Sequence, residues 1–540
     1  MATRQHNLTD YEAAVREFRL EVPDRFNFTR DVVGRWARDP DKLAMLWVGG
    51  DGAERRITFR AYLERAARVA AVLQRHGVRP GDRVMVQLPR LPEWWEVVLG
   101  CFQAGAVAVP GTVLLTPKDI RYRTTLAEAA VYVTDADGAA RVDQVRAECP
   151  SLRVLLQVGG EPGEGWLDYG RELDAAGEPR PVDTASADPA LIYFTSGTVG
   201  NPKMVLHTHA SYPIGHQITG RFWLDLGPDD LHLNLSENGW AKAAWSSLFG
   251  PWNMGAALFV QDVRGRFSAS DTLDVLERYP ITTFCAPPTA YRMLVLENLS
   301  RRDLASLRWC VGAGEPLNPE VIETWQRGTG HLIRDGYGQT ETVLLCGNFP
   351  TLEVRPGSMG KPSPGMAVAV VDEEGHALPP GSEGDIAVRI RPERPVGLFE
   401  EYWRNPEATQ ACQRGDWYVT GDRAYVDEDG YFWFVGRADD VIISAGYRIG
   451  PFEVESALIE HPAVAEAAVV GKADPLRGTI VRAFVVCAPG HEGSERLTAE
   501  LQEHVRRVTA AYKYPREIDY VSELPKTISG KIRRVELRAR

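Results

Sequence analysis

The chain has 540 residues, 44% hydrophobic and 25% charged, with a formal net charge of −12 and seven cysteines. That charge excludes general nucleic-acid binding, which needs a basic footprint, and no apolar run is long enough to span a bilayer. The cysteines are odd in number and scattered without a C-x-x-C pair, and Met1–Asp10 lacks a basic region ahead of an apolar core, so reduced thiols and a cytoplasmic setting are expected.

From about Phe59 to Gln157, helical and strand signals alternate. Tyr62–His76 and Trp94–Ala104 carry apolar residues at helical spacing, while 83–88, 130–134 and 154–157 read as strands. Strands separated by helices predict βαβ units and parallel sheets. Next comes the run Leu191-Ile192-Tyr193-Phe194, then Thr195-Ser196-Gly197-Thr198-Val199-Gly200-Asn201-Pro202-Lys203, then Met204-Val205-Leu206-His207. Small residues that expose backbone N–H groups, three hydroxyls and one ammonium suit a polyphosphate. It is not a Walker A loop, because Pro202 precedes Lys203 and a strand-like run follows instead of a helix. A hairpin turn built from the same residues is the alternative.

The α/β alternation resumes with strands at 257–260, 282–285 and 307–311. Beyond Pro364, short strands and turns predict a β-rich subdomain. From about Asp439 a compact α+β unit is expected, with helices starting at Pro451 and spanning 497–508, and strands over 464–470 and 481–487. The fold expected is therefore α/β: a large N-terminal domain (1–438) with parallel α/β subdomains and a β-rich subdomain, then a small mobile α+β domain (439–540). Lys526, Lys531, Arg533, Arg534, Arg538 and Arg540 crowd the C-terminus, either as a solvated end or as a contact for a phosphorylated ligand.

Further stretches accompany the loop: Gly312-Ala313-Gly314-Glu315-Pro316, Asp335-Gly336-Tyr337-Gly338-Gln339-Thr340-Glu341, Tyr418-Val419-Thr420-Gly421-Asp422, Gly436-Arg437-Ala438-Asp439-Asp440 and Pro525-Lys526-Thr527-Ile528-Ser529-Gly530-Lys531. In that order the chain resembles the adenylate-forming superfamily. Residues 221–226, 239–242, 446–453 and 512–516 are similar to the medium-chain acyl-CoA synthetases within it.

The resemblance implies an ATP-dependent acid–thiol ligase. A carboxylate is a poor electrophile, so it attacks the α-phosphate of ATP, giving an acyl-adenylate and pyrophosphate, and CoA then displaces AMP. Thr195–Lys203 would hold the β- and γ-phosphates, since phosphoryl-transfer catalysis is chiefly positioning and charge neutralisation. Glu341 would ligate Mg²⁺, a hard ion usually held by one or two carboxylates, and Thr340 would bond the α-phosphate. Gly314, Glu315, Pro316 and Asp335, Gly336, Tyr337, Gly338 and Gln339 would frame the adenine, with Tyr337 as a stacking plane. Asp422 and Arg437 would bind the ribose. Lys531 would be the catalytic cation bridging carboxylate and α-phosphate, and Asp439 the hinge. Taken singly, each has a plainer reading: a surface acid, a turn tyrosine, an Asx turn after Gly421, a solvated lysine.

Ala445, Gly446, Tyr447 and Arg448, with Arg477 and Lys513, are the resemblance's candidates for CoA; an arginine fork suits phosphate, and turn or surface roles are the alternative. Residues 236–245 would line the acyl pocket, with Trp240 as a wall and Trp245 as core. Amino-acid-activating relatives place an acid where Ala241 stands, and its absence favours an uncharged acyl chain. Glu237 and Asn238 depart from the Asp-Thr that medium-chain members commonly show. A stand-alone adenylating enzyme that loads a carrier protein is the rival activity. A non-enzymatic nucleotide-binding module does not explain catalytic and hinge motifs together. His207 and His209 share a strand face but lack a third metal ligand, and no Gly-x-Ser-x-Gly elbow is present. Protein acetylation of Lys531 would remove its charge.

Overall fold

Thr58 caps the helix Phe59–Arg75, its side chain accepting from the Ala61 N–H, and the helix buries Phe59, Tyr62, Ala66, Val69 and Leu73 along one stripe. Such i, i+3, i+4, i+7 spacing is what drives an amphipathic helix onto a sheet. The following helix, Pro92–Ala104, is apolar nearly all round, begins on a proline and ends at Gly105 in the left-handed region. These features belong to a computed structural model that describes residues 4–195, 202–265, 267–444, 447–474, 478–527 and 531–540.

Among the described residues, two large sheets organise the N-terminal domain. The eight-stranded sheet has the strand order 401–402, 204–208, 189–194, 107–110, 83–87, 131–135, 154–158, 167–168. From 107–110 onward its pairs are parallel, as the strand–helix alternation predicts. The second sheet, of fourteen strands, carries a parallel run through 43–48, 257–261, 231–234, 283–286, 309–313 and 333–337. Its antiparallel extension runs through 346–347, 358–362, 432–437, 417–426, 384–389 and 368–371. The β-rich stretch is thus hydrogen-bonded into the second parallel sheet, so the nucleotide-type motifs on 309–313, 333–337, 417–426 and 432–437 share one continuous backbone ladder.

Pro189–Phe194 and Met204–Thr208, the strands flanking the glycine-rich stretch, pair antiparallel. Its neck is closed by Thr195 N–H to the Lys203 carbonyl (2.9 Å) and Lys203 N–H to Thr195 Oγ1 (3.0 Å). The neck places Thr195 and Lys203 side by side where the two strands meet. Ser196, Gly197, Thr198, Val199, Gly200 and Asn201 lie outside the described residues.

The smaller C-terminal domain has its own core, built on Ile442, Ile449, Val454, Leu458, Val469, Val485, Leu501 and Val505. The helix Pro451–Ile459 starts on its proline, Ser494 caps Glu495–Val508, and both pack on the strands Val464–Asp474, Gly478–Cys487 and Glu517–Tyr520. No helix among the described residues is long and apolar enough to cross a membrane.

Candidate active site

The parallel strand Trp309–Ala313 delivers Gly314 at φ +112°, a conformation only glycine adopts without strain, and Glu315 beyond it. The Glu315 carboxylate accepts from Thr289 Oγ1 (2.8 and 3.0 Å) and pairs with Arg292 at 2.8 Å. Lys242 Nζ donates to the Ala313 carbonyl at 2.9 Å, tying the helix after Trp240 to the same turn.

The neighbouring strand Ile333–Tyr337 brings Asp335, whose buried carboxyl is pushed well above the usual carboxylate range by desolvation. Gly336 packs on Trp223, and Gly338 on Trp245 and the Val343 carbonyl, so closely that a side chain at either would clash. Tyr337 is anchored by its hydroxyl, which donates to Asp422 at 2.7 Å. Gln339 Nε2 donates to the same carboxylate at 2.6 Å, and Arg437 Nη1 completes the set at 3.2 Å. Burial alone would lower the Arg437 pKa; Asp422 and Asp439 outweigh it and raise it.

Glu341 is buried, and its Oε1 accepts from the Tyr402 hydroxyl at 2.7 Å. Desolvation raises its pKa. Lys203 Nζ lies 4.6 Å from the centroid of the Tyr402 ring, so the hairpin neck and Glu341 meet across one tyrosine. The donor set suits Mg²⁺: a buried carboxylate with one oxygen engaged by a neutral hydroxyl, and a charge that burial leaves costly until a cation meets it.

Lys531 comes from the C-terminal domain; its N–H donates to Thr527 Oγ1 (3.1 Å) and its carbonyl accepts from Thr527 N–H (2.7 Å). Thr195, Lys203, Gly314 to Pro316, Asp335 to Glu341, Asp422, Arg437, Asp439 and Lys531 all line one cavity of about 680 Å³. Pro202 stands outside that lining, its carbonyl accepting from the Tyr122 hydroxyl at 3.2 Å. Asp439 sits in the turn after Phe432–Arg437, where Asp440 N–H bonds the Arg437 carbonyl at 3.0 Å.

Three expectations gain structural context. Along the basic C-terminus, Arg533, Arg534 and Arg538 line the same cavity as Lys531, and Arg533, Arg538 and Arg540 are exposed, while most of these side chains also hold an acidic partner. Arg534 forks onto Glu455 (2.7 and 2.8 Å), Arg538 pairs with Asp440, Lys526 with Glu466 (2.6 Å) and Arg533 with Glu536 (2.5 Å). Trp240, expected as an acyl-pocket wall, is half-buried, precedes the short helix Ala241–Ala244 and is not part of the lining of this cavity. Lys513 is paired with Glu453 at 2.7 Å, a tie that any phosphate contact must break.

Of the other CoA candidates, the described Tyr447 and Arg448 are not in the cavity lining. Tyr447 and Arg448 are exposed on the strand Tyr447–Ile449, with Tyr447 stacked on Tyr512 at 4.3 Å. Ala445, Gly446 and Arg477 lie outside the described residues. His207 and His209 are buried, and desolvation lowers them to about 3 and about 4, which suits neutral packing groups. Sequence reading missed Tyr402, Arg292 and Lys242, because each acts through a contact distant in the chain.

A twisted α/β sheet carrying a nucleotide-sized cavity at its strand ends, closed by a lysine from a second domain, is the layout of an adenylate-forming enzyme. Residues 33–403 match the AMP-binding enzyme family and 453–531 match the AMP-binding enzyme C-terminal domain. The chain is 49% identical to acyl-coenzyme A synthetase ACSM3 of Mus musculus over 98% of this chain and 93% of that one. It is 50% identical to ACSM5 of Homo sapiens over 96% and 91%. Among solved structures, the anthranilate CoA ligase AuaEII with anthranoyl-AMP superposes with TM-score 0.88 at 33% identity, covering 96% of this chain and 98% of that one. A Brucella canis acyl-CoA synthetase matches with TM-score 0.77 at 36% identity, over 98% and 99%. The chain belongs to the AMP-binding enzyme family, among its acyl-CoA synthetases.

The cytoplasmic expectation is overturned by these relatives, both named as mitochondrial proteins. Reduced, scattered thiols do not tell one reducing compartment from another.

Proposed function

We propose that this chain is an AMP-forming acid–thiol ligase that activates a medium-chain carboxylic acid with ATP and transfers it to CoA. The observation that carries the reading is the shared cavity, lined by Lys203, Glu341, Asp422 and Arg437 of the large domain and by Lys531 of the C-terminal domain.

In the first half-reaction a carboxylate oxygen bonds the α-phosphorus and the bond to pyrophosphate breaks. Lys203 and the Thr195 hydroxyl at the hairpin neck steady the departing phosphates. Thr340 bonds the α-phosphate. Lys531 lies between the two anions being joined and offsets their repulsion. The Asp422 carboxylate, oriented by Tyr337, Gln339 and Arg437, accepts from the ribose hydroxyls, while Gly314–Pro316 and Tyr337 flank the base. Glu341 would hold Mg²⁺, whose chemistry is to neutralise phosphate charge. In the second half-reaction the CoA sulfur bonds the acyl carbon and AMP leaves. Asp439 serves as the hinge, with 1–438 and 439–540 as the bodies it joins, so that Lys531 and the Tyr447–Arg448 strand serve successive steps. Lys513 and residues 445, 446 and 477 belong to the CoA side of that scheme.

An uncharged acyl group follows from Ala241 standing where an acid would meet an ammonium. Acetylation of Lys531 by a protein acetyltransferase would silence the first step alone, and intact-site mass spectrometry of protein purified from cells reads that directly. The deciding experiment measures AMP release with CoA for acids from acetate to dodecanoate and for benzoates. A maximum at intermediate chain length supports the assignment; acceptance of a carrier protein in place of CoA moves the enzyme to the carrier-loading class.

A further inference from the structure

The Thr340 carbonyl accepts two hydrogen bonds from residues on the far side of the cavity wall. His207 Nε2 lies 2.8 Å from it, and the Tyr212 hydroxyl also donates to it. His207 is on the strand Met204–Thr208, which continues directly from the hairpin neck at Lys203. Neither residue lines the cavity, and both side chains are fully buried.

The network has one consistent proton arrangement. A carbonyl only accepts, so His207 Nε2 carries the proton and Nδ1 is left as an acceptor. Ser211 Oγ, 3.1 Å from Nδ1, already accepts from the Thr208 N–H at 2.9 Å, so its own proton goes to Nδ1. Trp245 Nε1 donates to the Tyr212 oxygen at 3.3 Å, leaving the Tyr212 proton for Thr340. The two rings stack with centroids 3.4 Å apart, so neither swings without displacing the other. Downstream, Phe399 N–H bonds the Glu341 carbonyl at 2.7 Å and Tyr402 bonds its side chain. Both peptide groups of the 340–341 turn are therefore fixed from behind.

We infer that His207 and Tyr212 are positioning residues for adenylation, locking the Thr340–Glu341 turn in register with the phosphate hairpin from which their own strand departs. The inference rests on the ATP-dependent reading of the cavity. It assigns a role to a histidine that otherwise reads as packing: a buried ring could satisfy itself anywhere, but this one spends its only N–H on the backbone of the reacting turn. Catalysis that depends on pre-placed dipoles loses rate when the placing contacts go, even though substrate contacts remain.

The test uses the full-length enzyme with three variants: Tyr212→Phe, His207→Gln, which keeps a donor near the Nε2 position, and His207→Leu, which removes it. Hydrogen exchange of ligand-free protein and the two half-reactions are measured side by side. Tyr212→Phe and His207→Leu are expected to lower kcat for acid-dependent pyrophosphate exchange about tenfold or more, with the acid KM within about twofold. Thioester formation from preformed acyl-adenylate stays within about twofold, and His207→Gln recovers most of the loss. Amide exchange over residues 338–344 rises in the two damaged variants. Equal losses in both half-reactions, or unchanged exchange over 338–344, overturn the inference. A wild-type enzyme without pyrophosphate exchange strikes the ATP-dependent reading instead, and the amide measurement still decides the positioning role.

Discussion

Asp422 and Arg437 are register partners on adjacent antiparallel strands, with Arg437 Nη1 3.2 Å from Asp422 Oδ1. The ladder, not the side chains, sets that pairing, so the carboxylate's orientation is fixed before any nucleotide arrives. Tyr337 and Gln339 bond the other oxygen, Oδ2, from the parallel part of the same sheet. A buried carboxylate with three donors is a rigid acceptor, and rigidity is what makes two ribose hydroxyls cheap to bind.

Replacing Arg437 with Leu removes one charge-assisted bond while keeping much of the bulk. Loss of such a bond is worth about 1.5–3 kcal/mol, or about 10- to 100-fold in kcat/KM for ATP. Because the Arg437 side chain is 44% exposed, the lower end is expected. Steady-state kinetics with ATP varied should show it. An unchanged kcat/KM would remove Arg437 from nucleotide binding.

Lys531→Ala separates the half-reactions. Deleting a single electrostatic donor to a developing charge costs about 2.7–4 kcal/mol, or about 10²–10³ in rate. Acid-dependent pyrophosphate exchange should fall by that factor, while thioester formation from supplied acyl-adenylate changes little. Blocking the hinge with Asp439→Pro should do the reverse. If both variants damage both steps alike, the two-step division of labour is wrong.

The strands and helices were readable because their determinants are local. Thr58 caps, Pro92 and Pro451 start helices, and period-two and period-3.6 burial picks out strands and helices. Asp422, Arg437, Glu341 and Lys531 were legible through linear motifs, and the fold brings all four to one cavity. Tyr402 and Tyr212 were not, because each matters only through a partner far along the chain, Glu341 and Thr340 respectively. The merging of the β-rich strands into the second sheet likewise depends on pairing, which no single segment encodes.

Arg448 and Lys513 should differ as CoA contacts. Arg448 is exposed on its strand, whereas Lys513 is held by Glu453. Arg448→Ala is expected to raise the CoA KM about tenfold without touching pyrophosphate exchange, since one lost phosphate fork is worth about 1.5–3 kcal/mol. Lys513→Ala should shift the same KM by less than about threefold, because its ion pair must first be broken and exposed pairs are worth about 0–1 kcal/mol. A larger effect at Lys513 would reverse the ranking.

Four histidines make the large domain sensitive to acid. Burial lowers His207 and His232 to about 3 and His209 to about 4, and holds His216 well below its usual value. Each ring is neutral when folded and takes a proton on unfolding once the pH is below about 6.5. The unfolded state then binds more protons than the native one, so stability rises with pH across that window and is lost as pH falls through it. Each ring contributes up to about 1.4 kcal/mol per pH unit between its unfolded and folded pKa. Calorimetric unfolding at pH 5 in buffers of different ionisation enthalpy should therefore register an uptake close to one proton per buried ring. His209 has neither ring nitrogen bonded within the described structure, so His209→Phe should remove one of those protons and flatten the acid limb while leaving neutral-pH activity in place. Proton uptake unchanged by that substitution would mean the ring is already charged in the native state, and the burial argument for it would fail.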